Sequence, residues 1–134
     1  MKRIYTFGHE QVERNITVGD IIENKQKEVK MTQVTAANQE EAEIIVKQNI
    51  DMIITGSDWY EDVRKGAPNT FITAALFAGR FITNEEILRG AFEVMMAGAD
   101  SVLTPRSFEV VEMLAKEGMQ AVSYTHLTLP TIPG

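Results

Sequence analysis

Three stretches of the chain end a helical pattern and open an apolar run in the same way: KQNIDMIITG (47–56), MAGADSVLTP (96–105) and KEGMQAVSY (116–124). Each reads as a last helical turn, a tight reversal and a short β-branched strand, the second half of a repeating βα unit. Apolar runs predict core strands at 29–35, 50–55, 70–76 and 101–103, with an approach to a fifth near residue 121. The run from Ile50 to Thr55 is apolar at consecutive positions, as a parallel strand covered on both faces requires.

Helices fill the intervals. Thr17 caps one running to Lys25, with Asp20 at its third position and Val18, Ile21 and Ile22 on one side. Asn38 followed by Glu41 opens a second, with Ala42, Ile45 and Val46 facing inward. Thr83 with Glu86 repeats the pattern, ahead of the stripe Ile87, Ala91, Val94, Met95 and the stop at Gly98. Thr104 and Pro105 start a last helix that buries Phe108, Val111, Leu114 and Ala115 and stops at Gly118. Residues 1–14 read as an extended lead-in, and 56–68 as an elaborated loop with a short helix. The fold class predicted is α/β: a partial (β/α)8 barrel of four to five parallel strands, since a whole one needs roughly 250 residues.

Charge and composition narrow the function. Thirteen basic against nineteen acidic side chains give a net charge of −6. A nucleic-acid partner would need a basic stripe, and only a short basic cluster at the N-terminus is present. No apolar run approaches the roughly 20 residues of a membrane span, and the first residues turn polar too soon for a signal peptide. The chain has no cysteine, so thiolate chemistry and disulfides are excluded. The expectation is a soluble cytoplasmic protein with neither nucleic-acid nor membrane partners.

In βα folds ligands gather beyond the carboxyl ends of the strands. Here those positions are Thr35–Asn38, Thr55–Asp58, Thr73–Ala75 and Thr104–Ser107, a hydroxyl-rich set suited to hydrogen-bonding a small anionic or carbonyl substrate. Asp58 is the one carboxylate directly after a strand, a metal-ligand candidate. Thr35 and Ser57 are candidate substrate donors, and Arg106 and the Arg64-Lys65-Gly66 turn are candidate anion contacts, each weighed against capping or plain solvation. Asp51 and Asp100 precede their strands at equivalent points and read as turn carboxylates that support the fold. His9 has no second ligand nearby, and Met95, Met96 and Met113 read as packing residues.

The pieces ITVGDIIENK (16–25), QVTAANQEEAE (33–43), IDMIITGSD (50–58), VRKGAPNTFITAAL (63–76) and AFEVMMAGADSVLTPRSFEVVEMLAKEGM (91–119) together resemble the ketopantoate hydroxymethyltransferase family, of the phosphoenolpyruvate/pyruvate-binding barrel superfamily. The resemblance implies a (β/α)8 barrel and a homo-oligomer for the whole protein. It implies hydroxymethyl transfer from 5,10-methylenetetrahydrofolate to 3-methyl-2-oxobutanoate, with Mg2+ holding the keto acid and stabilising its enolate. On this reading Asp58 is the metal carboxylate and Ser57 and Thr35 contact the keto acid, although the family's order after the second strand is Gly-Asp-Ser where this chain has Gly56-Ser57-Asp58. The second metal-associated aspartate falls on Ala75, and a lysine and a glutamate fall on Leu103 and Pro105. The usual general base lies beyond residue 134.

Two alternatives stay open at this point: a lyase or mutase on another small α-keto acid, and a non-catalytic binding or assembly protein on the same scaffold. The segment VSYTHLTLPT (122–131) resembles the translation of a sequencing adapter. The organisation expected is therefore a lead-in and short helix at 1–28, a partial barrel at 29–121 and a non-native tail at 122–134, with the fragment by itself inactive and prone to self-association.

Overall fold

The computed structural model describes residues 1–77, 80–104 and 108–123. The lead-in is a hairpin: β1 (Lys2–Tyr5) pairs antiparallel with β2 (Gln11–Arg14), and the loop between them turns at His9, whose φ is 65°. Helix α1 (Val18–Gln26) follows. The chain then alternates β3 (Gln33–Thr35), α2 (Gln39–Lys47), β4 (Met52–Gly56), a 3-10 turn at Ser57–Trp59 running into α3 (Tyr60–Gly66), β5 (Phe71–Ala75), α4 (Asn84–Met96), β6 (Ser101–Thr104), α5 (Phe108–Lys116) and β7 (Ala121–Ser123). What sequence reads as the loop 56–68 is thus mostly helical.

Strands β3 to β7 form one sheet in chain order, and every neighbouring pair is parallel. A doubly wound sheet would reverse direction at a switch point; this one steps the same way each time, as a barrel wall does. The expected α/β, partial-barrel architecture is what the chain adopts.

The three helix-to-strand reversals are real and share one backbone device. Asn49, Gly98 and Gly118 have φ of 59°, 115° and 83°. After α4 the Gly98 amide donates to Met95 O and the Ala99 amide to Val94 O; after α5, Gly118 and Met119 repeat the arrangement on Ala115 and Leu114. These bonds satisfy carbonyls that a helix end leaves open, and the left-handed residue they demand favours glycine or asparagine.

Helix starts also follow local chemistry. Thr17 with Asp20, and Thr83 with Glu86, each close a reciprocal capping box. At α2 the box slips by one residue: Asn38 accepts from the Glu41 amide, but the Glu41 carboxylate takes the Ala37 amide.

One face of the sheet packs on the helices. Ile53, Ile72, Ala74 and Val102 on that face are fully buried with Ala42 and Ile45 of α2, Ile87, Ala91 and Val94 of α4, and Val110 and Leu114 of α5. Some of the expected packing positions change. Val46 and Met96 are exposed, and α1 buries no residue, leaving Ile22 in solvent. In α5 Leu114 is buried as predicted, but its buried neighbour is Val110, while Val111 is half-buried and Ala115 exposed. Gly66 of α3 lies against the Gln39 carbonyl and the Ala42 methyl, where a Cβ would collide, so α2 and α3 touch almost backbone to backbone.

Asp51 and Asp100 do support the fold, by one repeated contact: each carboxylate, just before its strand, accepts a backbone amide near the start of the preceding one. Asp51 Oδ2 takes Thr32 N at 2.9 Å and Asp100 Oδ2 takes Ile72 N at 2.9 Å. Asp100 also receives Arg14 Nε at 2.9 Å and an Arg64 terminal nitrogen at 3.0 Å, all within a nearly solvent-free cluster. Arg64 is therefore no solvated turn residue. Its guanidinium donates to Tyr60 Oη, Ala67 O, Thr70 O, Gly98 O and Asp100.

Candidate functional site

All strand carboxyl ends lie along one edge of the sheet, as parallel pairing dictates. Sharing an edge is not sharing a face. Residues paired across a parallel ladder point the same way, and successive residues alternate. The pairs Thr35–Ile54, Ile54–Thr73, Gly56–Ala75 and Ala75–Leu103 put Thr35 and Ala75 on the face away from the helices. Thr104, two residues past Val102, is on the helix-packed face and fully buried there. It leaves the candidate set. Pro105, Arg106 and Ser107 lie outside the described residues.

Beyond β4 the backbone turns sharply through Ser57, Asp58 and Trp59 before α3 begins. Among the described residues, the hydroxyl oxygens of Thr55 and Ser57 are both buried without a hydrogen-bond partner. A buried hydroxyl left unpaired is costly, so each such atom calls for an explanation. Ser57 lines a pocket of about 260 Å³ together with Asp58, Tyr60 and Glu61 on one side and Arg80, Phe81, Gly90, Glu93, Val94 and Ala97 on the other. Asp58 is exposed and ion-paired with Arg80. Thr35 is exposed at the end of β3 and does not line this pocket. Of the three site residues that sequence singles out, the fold brings two together.

Tyr60 contributes its ring rather than a base. Burial pushes its phenol above the ordinary tyrosine range, against the opposing pull of Arg64, so it stays protonated at neutral pH while its oxygen accepts from Arg64 Nε at 2.8 Å. Among the described residues no group of three or more His, Cys, Asp or Glu is placed to hold a metal ion.

Sequence reasoning passed over Arg80 and the aromatic residues around it. The signal was there: FAGRF (77–81) directly follows a strand, where ligands gather, and combines an arginine with two aromatics. The backbone closes a turn there, with Arg80 N and Phe81 N both donating to Phe77 O at 3.1 Å.

A second cavity, about 770 Å³, opens at the amino-terminal end of the sheet between the hairpin, the start of α1 and the segments leading into β5, β6 and β7. His9 lies on its wall with largely apolar neighbours, among them Phe7, Phe71 and Met119.

No protein-family model matches the chain, and no curated protein matches it. No described helix is long and apolar enough to cross a membrane.

Proposed function

We propose that the chain is part of an α-keto-acid-binding (β/α) barrel of the ketopantoate hydroxymethyltransferase kind. Its reaction is transfer of a hydroxymethyl group from 5,10-methylenetetrahydrofolate to 3-methyl-2-oxobutanoate or a close relative. The observation that carries this reading is the turn after β4: a buried Ser57 hydroxyl, with no partner among the described residues, next to Asp58 just past the carboxyl end of a strand, the end where barrel enzymes hold substrate.

Ser57 Oγ donates to a keto-acid oxygen and gains a hydrogen bond that the described residues do not supply. Thr35, at the end of the neighbouring strand and outside this pocket, would add a second hydroxyl only to a substrate that extends beyond it. The donor set is of hard oxygens, one carboxylate and one hydroxyl, with solvent access at Asp58. That fits Mg2+, which is commonly held by one or two carboxylates and completes its shell with water and substrate oxygens. Asp58 would hold it, and when bound it offsets the negative charge that develops on the keto-acid oxygen. The proton acceptor is not assigned to a residue of this chain, so its part in the reaction is binding and orientation.

A second reading has its own support. Ala75 and Leu103, at the rim ends of β5 and β6, are uncharged, which favours a binding or assembly protein that keeps the scaffold without the chemistry. Calorimetric titration with 3-methyl-2-oxobutanoate and Mg2+, followed by an assay with methylenetetrahydrofolate on a longer version of the protein, separates the two. Binding with turnover supports transfer; binding without turnover selects the second reading. No keto-acid binding, with or without Mg2+, removes the proposal.

A further inference from the structure

The cavity of about 770 Å³ at the amino-terminal end of the sheet is walled by segments far apart in sequence: the β1–β2 hairpin, the start of α1, the start of β5, and the turns leading into β6 and β7. The hairpin is pinned where it forms the outer wall. Phe7 meets Phe92 of α4 edge to face, with ring centroids 5.5 Å apart, and lies beside Gly118. Gly8 backs onto the end of α4, where a Cβ would stand 3.4 Å from the Met96 carbonyl oxygen. At the base of the hairpin Arg14 is tied to Asp100 and to the Pro68 and Gly98 carbonyls. Contacts at both ends of the hairpin thus hold the space open.

The walls define what fits. Phe7, Phe71, Met95 and Met119 supply ring faces and polarisable sulfurs, which favour a flat aromatic body over a saturated chain. Most polar groups on the wall are already engaged. Asp100 accepts from Arg14, Arg64 and the Ile72 amide, and the hydroxyls of Thr6 and Thr17 accept the Glu10 and Asp20 amides. An entering anion would meet the Asp100 carboxylate, and a cation would face the two guanidinium groups bound to it, so a neutral ligand is selected. His9 differs: it is exposed on the wall, and its ring has no hydrogen-bond partner among the described residues. An imidazole can exchange one hydrogen bond with a hydroxyl. The volume falls within the roughly 300–1,000 Å³ of pockets that enclose small organic ligands.

We propose that this cavity binds a neutral molecule of two or more fused aromatic rings bearing a hydroxyl, with the rings among Phe7, Phe71 and Met119 and the hydroxyl on His9. It is a second ligand site, at the opposite end of the sheet from Ser57 and Asp58, and it does not depend on the keto-acid reading. Its consequence is mechanical. A ligand here touches the hairpin and the segments entering the sheet at once, so occupancy fastens β1 and β2 onto the parallel sheet. Binding that selects the docked hairpin stabilises it by mass action.

Calorimetric titration of the 134-residue chain with 2-naphthol should show saturable binding to one site. 2-Naphthoate, which has the same rings and a negative charge, should bind at least about tenfold more weakly, and 1-octanol should not displace the naphthol. Val18→Trp, at a half-buried wall position, fills the space and should weaken binding about tenfold or more. His9→Gly keeps the left-handed turn and removes the imidazole, for a loss of about fivefold, the worth of one hydrogen bond. Circular dichroism checks that both variants fold. Amide hydrogen exchange in residues 2–14 should slow when 2-naphthol is bound. The inference is overturned if wild type binds no naphthol, if naphthoate or octanol binds as tightly, if Val18→Trp folds and binds as wild type does, or if hairpin exchange is unchanged at saturation. Displacement of naphthol by 3-methyl-2-oxobutanoate, which belongs at the other end of the sheet, would overturn it as well.

Discussion

The two ends of the parallel sheet are built to opposite rules. At the amino-terminal end the polar groups are turned on one another. Asp100 gathers Arg14 from the hairpin, Arg64 from α3 and the Ile72 amide of β5. Asn15 joins Asp51 O and Phe71 N, and Asp51 holds Thr32. At the carboxyl end the hydroxyls of Thr55 and Ser57 have no partner among the described residues, the Asp58–Arg80 pair is in solvent, and Trp59 and Phe77 stand exposed. The first end spends its hydrogen-bonding capacity on the fold, while the second leaves it for something else. That is the division of labour expected of a βα barrel, in which the amino-terminal face carries stability and the carboxyl-terminal face carries ligands.

Breaking the amino-terminal end should have the largest effect. Asp100→Ala leaves two guanidinium groups without their carboxylate in a nearly dry cluster, and should cost about 3–5 kcal/mol. Urea unfolding followed by circular dichroism measures it. A loss below about 1 kcal/mol would mean that the carbonyls of Glu13, Pro68, Ala67, Thr70 and Gly98 suffice for the arginines, and that the two ends differ less than they look.

Gly66→Ala comes next. A methyl forced against the Gln39 carbonyl should push α3 from α2 and cost about 1–3 kcal/mol, read from the same unfolding curves. A neutral or stabilising result would show that the two helices have room to separate.

Helix starts offer a smaller and pH-dependent effect. The Thr83 amide holds the Glu86 carboxyl below the usual range, and Lys2, with Thr17, does the same for Asp20. A carboxyl depressed in the folded state binds fewer protons than in the unfolded state. Its contribution is therefore complete above the ordinary carboxylate pKa and is lost as pH falls through the folded value. Both side chains lie at the surface, so the acid effect should be modest and should shrink in added salt. Thr83→Ala should cost about 1 kcal/mol at neutral pH and flatten the acid limb of a stability–pH profile. An unchanged limb would exclude the α4 box as its source.

The smallest stability effect belongs to the carboxyl end, and it sharpens the contrast most. Asp58→Asn and Ser57→Ala should alter unfolding by no more than about 0.5 kcal/mol yet weaken keto-acid binding about tenfold, roughly the worth of one lost charge-assisted hydrogen bond. Stability falling with binding intact would reverse the roles assigned to the two ends.

How much of this was legible in the sequence depends on how far apart the interacting residues are. The caps at Thr17, Asn38 and Thr83 and the reversals at Gly98 and Gly118 were readable, because their partners lie within five residues. The phase of α5 was not: a run such as FEVVEMLAK is apolar at Val110 and Val111 alike, and only the sheet beneath the helix decides which is buried. Arg64 was misread for the same reason. Nothing near it announces that Asp100, 36 residues on, will be its partner.

The candidate site divides along that line too. Local order placed Ser57 and Asp58 just past a strand, and strand polarity assigned them to the carboxyl end of the sheet. The separation of Thr104 from Thr35 needed ladder register, a relation between strands dozens of residues apart, and the Arg80–Asp58 pair needed two loops to meet. The chain alone therefore determined the kind of fold and the positions of its caps and turns, since backbone bonding over a few residues is set by neighbouring side chains. Which face each residue occupies, and which charges meet, came only from packing, where side chains distant in sequence compete for the same buried volume and the same few partners.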